Sequence, residues 1–324
     1  MEKIQNITQS VREELATFNK LYVNALHNSI YDFQFMLDFV SSIEGKRIRP
    51  LILILSAKLC GKHTIETLQY AVILELLHTA TLIHDDVVDN TLERRGQPSV
   101  MAQFDNKKAV LLGDYVLSQA IKLGLNTGNL PFLRILSNLA QNLVEGELIQ
   151  LVSSSKILIE EDRYFEMIWK KTASLFASCS EMGALSVNAS EEEIEILRSI
   201  GKNLGICFQI RDDVFDYFEQ GDIGKPTGND IREGKITLPL IYALRTSPPD
   251  RSETMMHLIR EGEFSPETIK RLIDFAKEYK GIEYALMKMQ EIKNETIQLL
   301  NRFPDSEAKT ALMDMIDYII ERKK

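Results

Sequence analysis

Apolar residues recur at spacings of three and four along most of this chain. One series runs from Leu51 to Leu59, and the next runs from Leu68 to Leu76. Side chains at this spacing share one face of an α-helix. No stretch alternates apolar and polar positions with β-branched residues as a half-buried strand would. The pattern therefore predicts an all-α protein in which helices pack on helices.

Turn-forming residues interrupt the helical pattern at five places. These are Glu93 to Ser99, Gly124 to Pro131, Gly221 to Lys235, Thr246 to Arg251 and Phe303 to Ser306. None of them has the length and low complexity of a linker, and the apolar pattern resumes after each. We therefore expect a single domain over residues 1–324, with a separable region from about residue 250 as the alternative. The segment after Pro248 carries no assignable motif and is predicted to be structural.

Composition narrows the class of protein. Of 324 residues, 44% are hydrophobic, and 47 Asp and Glu against 38 Lys and Arg give a net charge of −9, which argues against general nucleic-acid binding. The three cysteines are far apart, as expected of free thiols in a reducing compartment. The amino terminus lacks the features of a signal peptide, and no apolar run reaches the roughly 18 residues of a membrane span. These features predict a cytoplasmic protein.

Two acidic clusters carry the candidate chemistry. Asp85, Asp86 and Asp89 lie in LLHTATLIHDDVVDN, and the same DDxxD spacing recurs in FQIRDDVFDYF from Asp212 to Asp216. On a helix, the outer aspartates of each motif lie one turn apart on one face. Such converging carboxylates repel each other, and a divalent cation offsets that repulsion. Mg²⁺ commonly bridges one or two carboxylates to substrate phosphates.

For a single DDxxD motif, a solvated helix end is the simpler interpretation. Two copies, both flanked by apolar sequence, instead favour a magnesium–diphosphate site. Compact basic groups are available to surround the anions. They are Lys46 and Arg49 in GKRIRP, Arg94 and Arg95 after the first cluster, Lys171 in WKKTASLF, Lys225 in GKP and Lys235 in EGK. His78 lies two helical turns before Asp85 and is either a phosphate donor or a satisfied core histidine.

With these residues identified, the chain resembles the all-trans polyprenyl diphosphate synthases, or polyprenyl synthetases. The resemblance runs from GKRIRP to LPLI and rests on motifs in a fixed order: GKxxRP, HTATLIHDDVVD, RRG, GD, EGE, KTA, FQIRDDVFD, GKPTGND and EGKITLPL. It implies the all-helical isoprenoid synthase fold, with the two acidic helices facing each other at the mouth of a deep cavity. It also implies a homodimer that contacts membranes only transiently, during product release.

The resemblance further implies a role for each candidate residue. The catalytic set would be Asp85, Asp86, Asp89, Arg94, Lys171, Asp212, Asp213 and Lys225. Three Mg²⁺, with Mn²⁺ as a substitute, would be held by Asp85, Asp89, Asp212 and Asp216, with Asp86 and Asp213 close behind them. The allylic diphosphate would contact Arg94, Lys171, Thr172, Gln209, Lys225 and Lys235. Isopentenyl diphosphate would contact Lys46, Arg49, His78 and Arg95.

Product length should depend on what blocks the cavity beneath the first cluster. Ala80 and Thr81, five and four residues before Asp85, are small. Family members with short products often carry an aromatic plug in this region, so the resemblance predicts about six to eight isoprene units, built on farnesyl or geranylgeranyl diphosphate for a quinone side chain. A plug from another helix, near Leu117 or Leu123, would stop growth earlier.

Four other readings remain open at this point. The first is a geranylgeranyl-length synthase, and the second is a terpene cyclase, which needs no second diphosphate site such as GKxxRP. The third is a non-catalytic subunit of a heteromeric synthase, against which both intact clusters argue. The fourth is a calcium store or sensor, but the Gly-containing twelve-residue loop of a helix–loop–helix calcium site is lacking.

Overall fold

The computed structural model describes residues 2–43, 45–156, 160–218 and 228–322. Most of this part of the chain is helical, so the all-α prediction is confirmed. The helices are α1 (Glu2–Gln9), α2 (Arg12–Ala25), α3 (Tyr31–Ser42), α4 (Ile48–Cys60), α5 (Ile65–Val88), α6 (Val100–Phe104), α7 (Asn106–Asn126), α8 (Leu130–Lys156), α9 (Glu161–Ile168), α10 (Ser174–Leu185), α11 (Glu191–Phe215), α12 (Asn229–Arg232), α13 (Leu238–Thr246), α14 (Pro249–Glu261), α15 (Pro266–Glu278), α16 (Gly281–Leu300) and α17 (Glu307–Glu321).

Two features depart from plain α-helix. A small antiparallel ribbon pairs β1 (Glu93–Arg94) with β2 (Gln97–Pro98) in a segment that the sequence predicted to be a loop. Between α9 and α10 the chain forms a π-helical turn over Trp169–Ala173. A π-helical turn often marks a functional site, and this one carries Lys171 and Thr172.

Contacts between Cα atoms divide the chain into two compact units. The first comprises Met1–Ala140, Ser178–Arg198 and Asp305–Leu312, and the second comprises Gln141–Ala177, Ser199–Pro304 and Met313–Lys324. Each unit contains one of the two acidic clusters. The expectation of a single domain stays a prediction.

Helix α5 forms the centre of the first unit. It packs against α2, α4 and α7, and its residues are almost all buried from Thr67 to Leu77. At its start, the Thr64 hydroxyl accepts the backbone N–H of Thr67, which satisfies one of the unpaired donors of the first turn. Burial along this length fixes the direction of α5, so its last turn presents the first acidic cluster at a defined place.

Two glycines allow α8 and α11 to pack closely against the π-helical turn in the second unit. A Cβ atom on Gly146 of α8 would lie 2.4 Å from the backbone nitrogen of Lys171, and one on Gly205 of α11 would lie 2.5 Å from the Cα of Ala173. Both helices therefore approach the turn more closely than any other residue type allows. Among the described residues, we find no helix that combines the length and the apolar character needed to cross a membrane.

Candidate active site

The first acidic cluster separates into outer and inner carboxylates. Asp85 is partly exposed in the last turn of α5, and Asp89 is exposed just after it, with its N–H bonded to the Asp85 carbonyl at 2.8 Å. Asp86 is only 2% exposed. It accepts two hydrogen bonds from Arg94, with Nη2 at 2.6 Å and Nε at 2.8 Å from Oδ1. Asp86 therefore positions Arg94, and Asp85 and Asp89 are the more accessible carboxylates of the cluster.

Four arginines surround His78 in the first unit. Burial lowers the pKa of His78 well below its usual value, and the charges of Arg49, Arg95, Arg94 and Arg47 lower it further. The imidazole is therefore neutral at physiological pH and offers one N–H donor. His78 lines a cavity of about 30 Å³ together with Arg47, Arg94 and Arg95. Of the four residues predicted to bind isopentenyl diphosphate, His78 and Arg95 line this cavity, and Arg49 acts on His78 through its charge. Lys46 is exposed and does not line the cavity.

Arg47, which lines this pocket, was missed by the sequence analysis. Arg47 donates to Glu75 at 2.7 Å, and its guanidinium lies 4.8 Å from the centre of the Tyr22 ring. Arg47 occupies a variable position of the motif GKxxRP. Its place within the segment GKRIRP was the only signal for it in the sequence. Arg47 adopts a left-handed backbone conformation just before α4, which begins at Ile48.

The second acidic cluster also has a buried middle carboxylate. Asp212 and Asp213 lie on α11, but the helix ends at Phe215, so Asp216 lies in the following turn and not in the helix as the spacing predicted. Asp213 is 4% exposed and accepts hydrogen bonds from Tyr164 at 2.6 Å and Gln209 at 2.8 Å. Both oxygens of Asp216 accept backbone N–H groups of α12, from Asn229 and Asp230. Each of these oxygens keeps a lone pair for a cation.

Too little positive charge lies near the carboxyl groups of the second acidic cluster to offset the effect of their burial. Burial, followed by the charges of the neighbouring aspartates, raises the pKa of Asp230 to about 8. Burial likewise raises the pKa of Asp213 to about 6, and it raises the pKa of Asp216. Asp230, which the sequence analysis did not select, is the last residue of the quoted GKPTGND motif. A bound divalent cation would supply the missing counter-charge.

The donor set fits Mg²⁺ bound jointly by protein and substrate. No group of three or more His, Cys, Asp or Glu side chains forms a metal cage in the part of the chain that the structure describes. Mg²⁺ does not require one, because it keeps several waters and commonly takes one or two carboxylates plus substrate phosphates. Asp85 and Asp89 in the first unit, and Asp212 and Asp216 in the second, are the carboxylates that would hold it.

Arg322, near the carboxyl end of the chain, contacts the second cluster. Its guanidinium is 7% exposed and donates to Asp212 Oδ1 at 2.8 Å and to the carbonyl of Phe208 at 3.0 Å. Arg211 in turn donates to the backbone carbonyl of Arg322 at 2.9 Å. These contacts fix the end of the chain to α11 and supply part of the counter-charge for Asp212. No motif in the sequence indicated this residue.

Three of the predicted allylic-diphosphate residues line one cavity in the second unit. Lys171, Gln209 and Lys235 line a cavity of about 140 Å³ together with Asp213 and Asp230. The ammonium of Lys171 lies 2.6 Å from Glu147 of the EGE motif. Lys170 pairs in the same way with Glu145, on the other side of Gly146. The predicted residue Lys225 lies outside the described residues.

The residues predicted to line the hydrocarbon cavity are largely buried. Leu77 and Ala80 on α5 are 2% and 1% exposed, and the rings of Phe176 and Phe208 pack with centroids 5.2 Å apart. The Thr81 hydroxyl donates to the carbonyl of His78 at 2.8 Å, so its polar group is satisfied within the helix.

A mostly apolar hollow of about 370 Å³ lies farther from the acidic end of α5. Leu123, one of the two alternative plugs, lines it together with Val72 and Ile73.

Comparison with known proteins agrees with this arrangement of residues. A family model described as polyprenyl synthetase matches residues 32–276. This chain belongs to the polyprenyl synthetase family. Octaprenyl diphosphate synthase of Escherichia coli (strain K12) is 30% identical over 325 residues, which cover 100% of this chain and 99% of that protein.

Two solved structures extend the comparison to the fold. Polyprenyl synthase from Caulobacter crescentus CB15, complexed with calcium and isoprenyl diphosphate, superposes with a TM-score of 0.91 at 30% identity and covers 99% of this chain and 98% of its own. Geranylgeranyl pyrophosphate synthase from Bacteroides thetaiotaomicron gives 0.85 at 41% identity, with 99% and 100% covered. This polyprenyl synthetase therefore has the isoprenoid synthase fold predicted from its motifs, and it is a metal-dependent prenyltransferase like the other members of its family.

Proposed function

We propose that this polyprenyl synthetase condenses isopentenyl diphosphate with farnesyl or geranylgeranyl diphosphate to make a long-chain all-trans polyprenyl diphosphate for a quinone side chain. One observation supports it above the others: each unit combines an acidic DDxxD pair with its own basic, hydrogen-bonding pocket. The positive charges around His78 suit one diphosphate, although the cavity there measures only about 30 Å³, and the pocket of about 140 Å³ around Lys171 suits another. A cyclase or a calcium store would need only one of these two sites.

The residues of the second unit hold the allylic diphosphate and promote its departure. Lys171 and Lys235, together with Lys225, bind the phosphate oxygens and stabilise the negative charge that develops as the carbon–oxygen bond breaks. Mg²⁺ supplies further charge neutralisation when it is bound, and we propose three ions per site, with Mn²⁺ as a substitute. Buried apolar residues such as Leu77 and Phe176 exclude water from the allylic cation.

The residues of the first unit hold isopentenyl diphosphate. Arg49 and Arg95 provide charge, Lys46 adds a mobile ammonium, and neutral His78 donates one hydrogen bond. These groups orient the double bond toward the cation, and none of them is a suitable general base. The released diphosphate therefore takes the proton whose loss completes the new trans double bond.

A homodimer is part of this proposal. Four large apolar residues of α7, Val110, Leu111, Ile121 and Leu125, are exposed. Val144 and Leu148 of α8 are exposed as well. Exposed apolar residues in such number on two long helices support an interface with a second copy of the chain. We also propose that the enzyme works in the cytoplasm and contacts membranes transiently when the product leaves.

A shorter product, of geranylgeranyl length, is the second candidate. The observation that favours it is the 41% identity to the Bacteroides thetaiotaomicron geranylgeranyl pyrophosphate synthase, against 30% to the Escherichia coli octaprenyl diphosphate synthase. The small side chains of Ala80 and Thr81 favour the longer product.

The mass of the product decides between the two lengths. The purified chain, incubated with farnesyl diphosphate, excess isopentenyl diphosphate and Mg²⁺, is expected to yield a diphosphate of six to eight isoprene units, measured by mass spectrometry after extraction. A four-unit product would assign the shorter synthase. No elongation by the purified chain alone would refute the proposed activity and favour a non-catalytic subunit.

Replacing Ala80 with phenylalanine should shorten the product. Ala80 is 1% exposed, so the larger ring must extend into whatever space lies beside α5 below Asp85. The expected result is a product at least one isoprene unit shorter, read by thin-layer separation of radiolabelled products. An unchanged length, in a variant that still turns over, would place the cavity floor on another helix.

A further inference from the structure

Four side chains in the second unit form an unbroken chain of hydrogen bonds. The Tyr164 hydroxyl lies 2.6 Å from Oδ2 of Asp213, and Nε2 of Gln209 lies 2.8 Å from Oδ1 of the same carboxyl group. The other end of the Gln209 amide, Oε1, lies 2.7 Å from the hydroxyl of Thr172. The chain thus connects α9 through α11 to the π-helical turn that carries Lys171.

The direction of every bond in this chain is set by its first link. An ionised carboxylate only accepts, so Tyr164 and the Gln209 amide nitrogen must both donate to Asp213. The Gln209 carbonyl then faces Thr172, and the Thr172 hydroxyl must donate to it. The hydroxyl hydrogen of Thr172 is therefore committed, and its oxygen faces its surroundings as an acceptor. The contact of Thr172 with the allylic diphosphate stays a prediction.

The first link depends on Tyr164. Both Tyr164 and Asp213 are 4% exposed, so no bulk water is available to replace a lost donor. Without the tyrosine hydroxyl, Oδ2 of Asp213 loses its donor, and the carboxyl group competes for the Gln209 amide hydrogens. That competition allows the Gln209 amide to rotate.

The backbone around Thr172 is already fixed. Gly146 and Gly205 approach the π-helical turn so closely that its main chain has little room to shift. What remains adjustable is the rotamer of the Thr172 side chain, and the Gln209 carbonyl is the contact that selects it. The orientation of the Thr172 hydroxyl therefore depends on Tyr164, which lies on another helix and is connected to Thr172 through three hydrogen bonds.

From these contacts we infer that Tyr164 is a positioning residue of the allylic site, which acts through Asp213 and Gln209 to fix the Thr172 hydroxyl. This inference rests on the proposed function, because it gives a role to a residue of the allylic-diphosphate pocket. Tyr164 does not line that pocket, whereas Gln209 and Asp213 do. A residue of this kind shapes the reaction without contacting the substrate.

Tyr164→Phe tests the inference, because it removes one hydroxyl and keeps the ring. Since a small misplacement of a positioning group costs up to about 100-fold in rate, we expect kcat/KM for the allylic diphosphate to fall about 30-fold. The KM for isopentenyl diphosphate should change less than about twofold, because its predicted ligands lie in the first unit. Binding of farnesyl thiolodiphosphate with Mg²⁺, followed through the emission of Trp169, the single tryptophan of the chain, should weaken as well.

Tyr284→Phe is the matched control. The Tyr284 hydroxyl also donates to a carboxylate on α9, that of Glu161 at 2.5 Å, but this pair belongs to neither diphosphate pocket. The control should keep the kinetic constants of the wild type while losing a tyrosine–carboxylate bond of the same kind. Equal losses of activity in both tyrosine variants would indicate a general structural effect and overturn the inference.

A double-mutant cycle separates positioning from packing. If Tyr164 acts through Thr172, then Tyr164→Phe should add less than about threefold to the loss already caused by Thr172→Val. Multiplicative losses, or a Tyr164→Phe enzyme as active as the wild type, would refute the inference while leaving the proposed function intact. If Tyr164→Phe fails to fold, Gln209→Met interrupts the same series of hydrogen bonds at a half-buried side chain. This variant is then combined with Thr172→Val in the double-mutant cycle. A wild type that does not elongate would instead refute the proposed function.

Discussion

Replacing Asp212 with asparagine should lower kcat/KM by about 10³-fold, because the change removes charge stabilisation from the departing diphosphate. The substitution keeps the shape of the side chain but removes a carboxylate proposed to hold Mg²⁺. It also leaves the 7% exposed guanidinium of Arg322 without its charged partner. Steady-state incorporation of labelled isopentenyl diphosphate over a range of Mg²⁺ concentrations measures the effect, and added Mg²⁺ should not restore the rate.

Asp274→Asn provides the comparison for Asp212→Asn. Asp274 is an exposed aspartate on α15, in the same unit but in neither pocket, so its substitution should leave the rate within about twofold of the wild type. If Asp212→Asn retained more than a tenth of the wild-type kcat/KM, the second acidic cluster could not be the main metal site.

Replacing Gly146 with alanine should lower kcat/KM by about 100-fold, although alanine is the better helix former. The helix propensity gained is about 1 kcal/mol, whereas forcing a methyl group into a filled space typically costs about 1–3 kcal/mol. Here the new Cβ would lie 2.4 Å from the Lys171 nitrogen, so the π-helical turn must move. That movement displaces Lys171 and Thr172 together. Kinetics with varied allylic diphosphate, paired with thermal unfolding, measures both consequences.

Gly61→Ala is the control for Gly146→Ala. A Cβ atom at Gly61 would meet its nearest neighbour, Val187, at 3.8 Å, which is an ordinary van der Waals distance. This variant should keep the activity and the melting temperature of the wild type. A Gly146→Ala enzyme with normal kinetics would show that the turn tolerates displacement, and that the close approach of α8 has no part in shaping the allylic pocket.

Helical periodicity predicted the features that depend on neighbours in sequence. The end of α5 at the first cluster follows from the apolar run that precedes Asp85, and the boundary between α7 and α8 follows from the turn residues after Gly124. The burial of the middle aspartates also has a local cause. In a DDxxD helix the first and last carboxylates share a face, while the second points about 100° away from them. This geometry turns Asp86 and Asp213 inward.

The features that sequence reasoning missed all depend on contacts between distant residues. Tyr164 meets Asp213 across 49 positions, and Arg322 meets Asp212 across 110. A period of 3.6 residues indicates which side chains share a helix face, but it carries no information about which helix lies opposite. The end of α11 at Phe215, one residue before Asp216, was missed for a related reason. The hydrogen bonds from α12 to the Asp216 carboxylate help to set that end, and they too come from another segment.

The contact between Arg322 and Asp212 has a practical consequence for anyone who purifies this enzyme. An affinity tag fused directly after Lys324 would begin two residues beyond a nearly buried guanidinium that contacts a proposed metal ligand. A bulky or acidic tag there would compete with Asp212 for that guanidinium. Tags are better placed at the amino terminus, and activities measured with a carboxyl-terminal fusion should be compared with those of the cleaved protein.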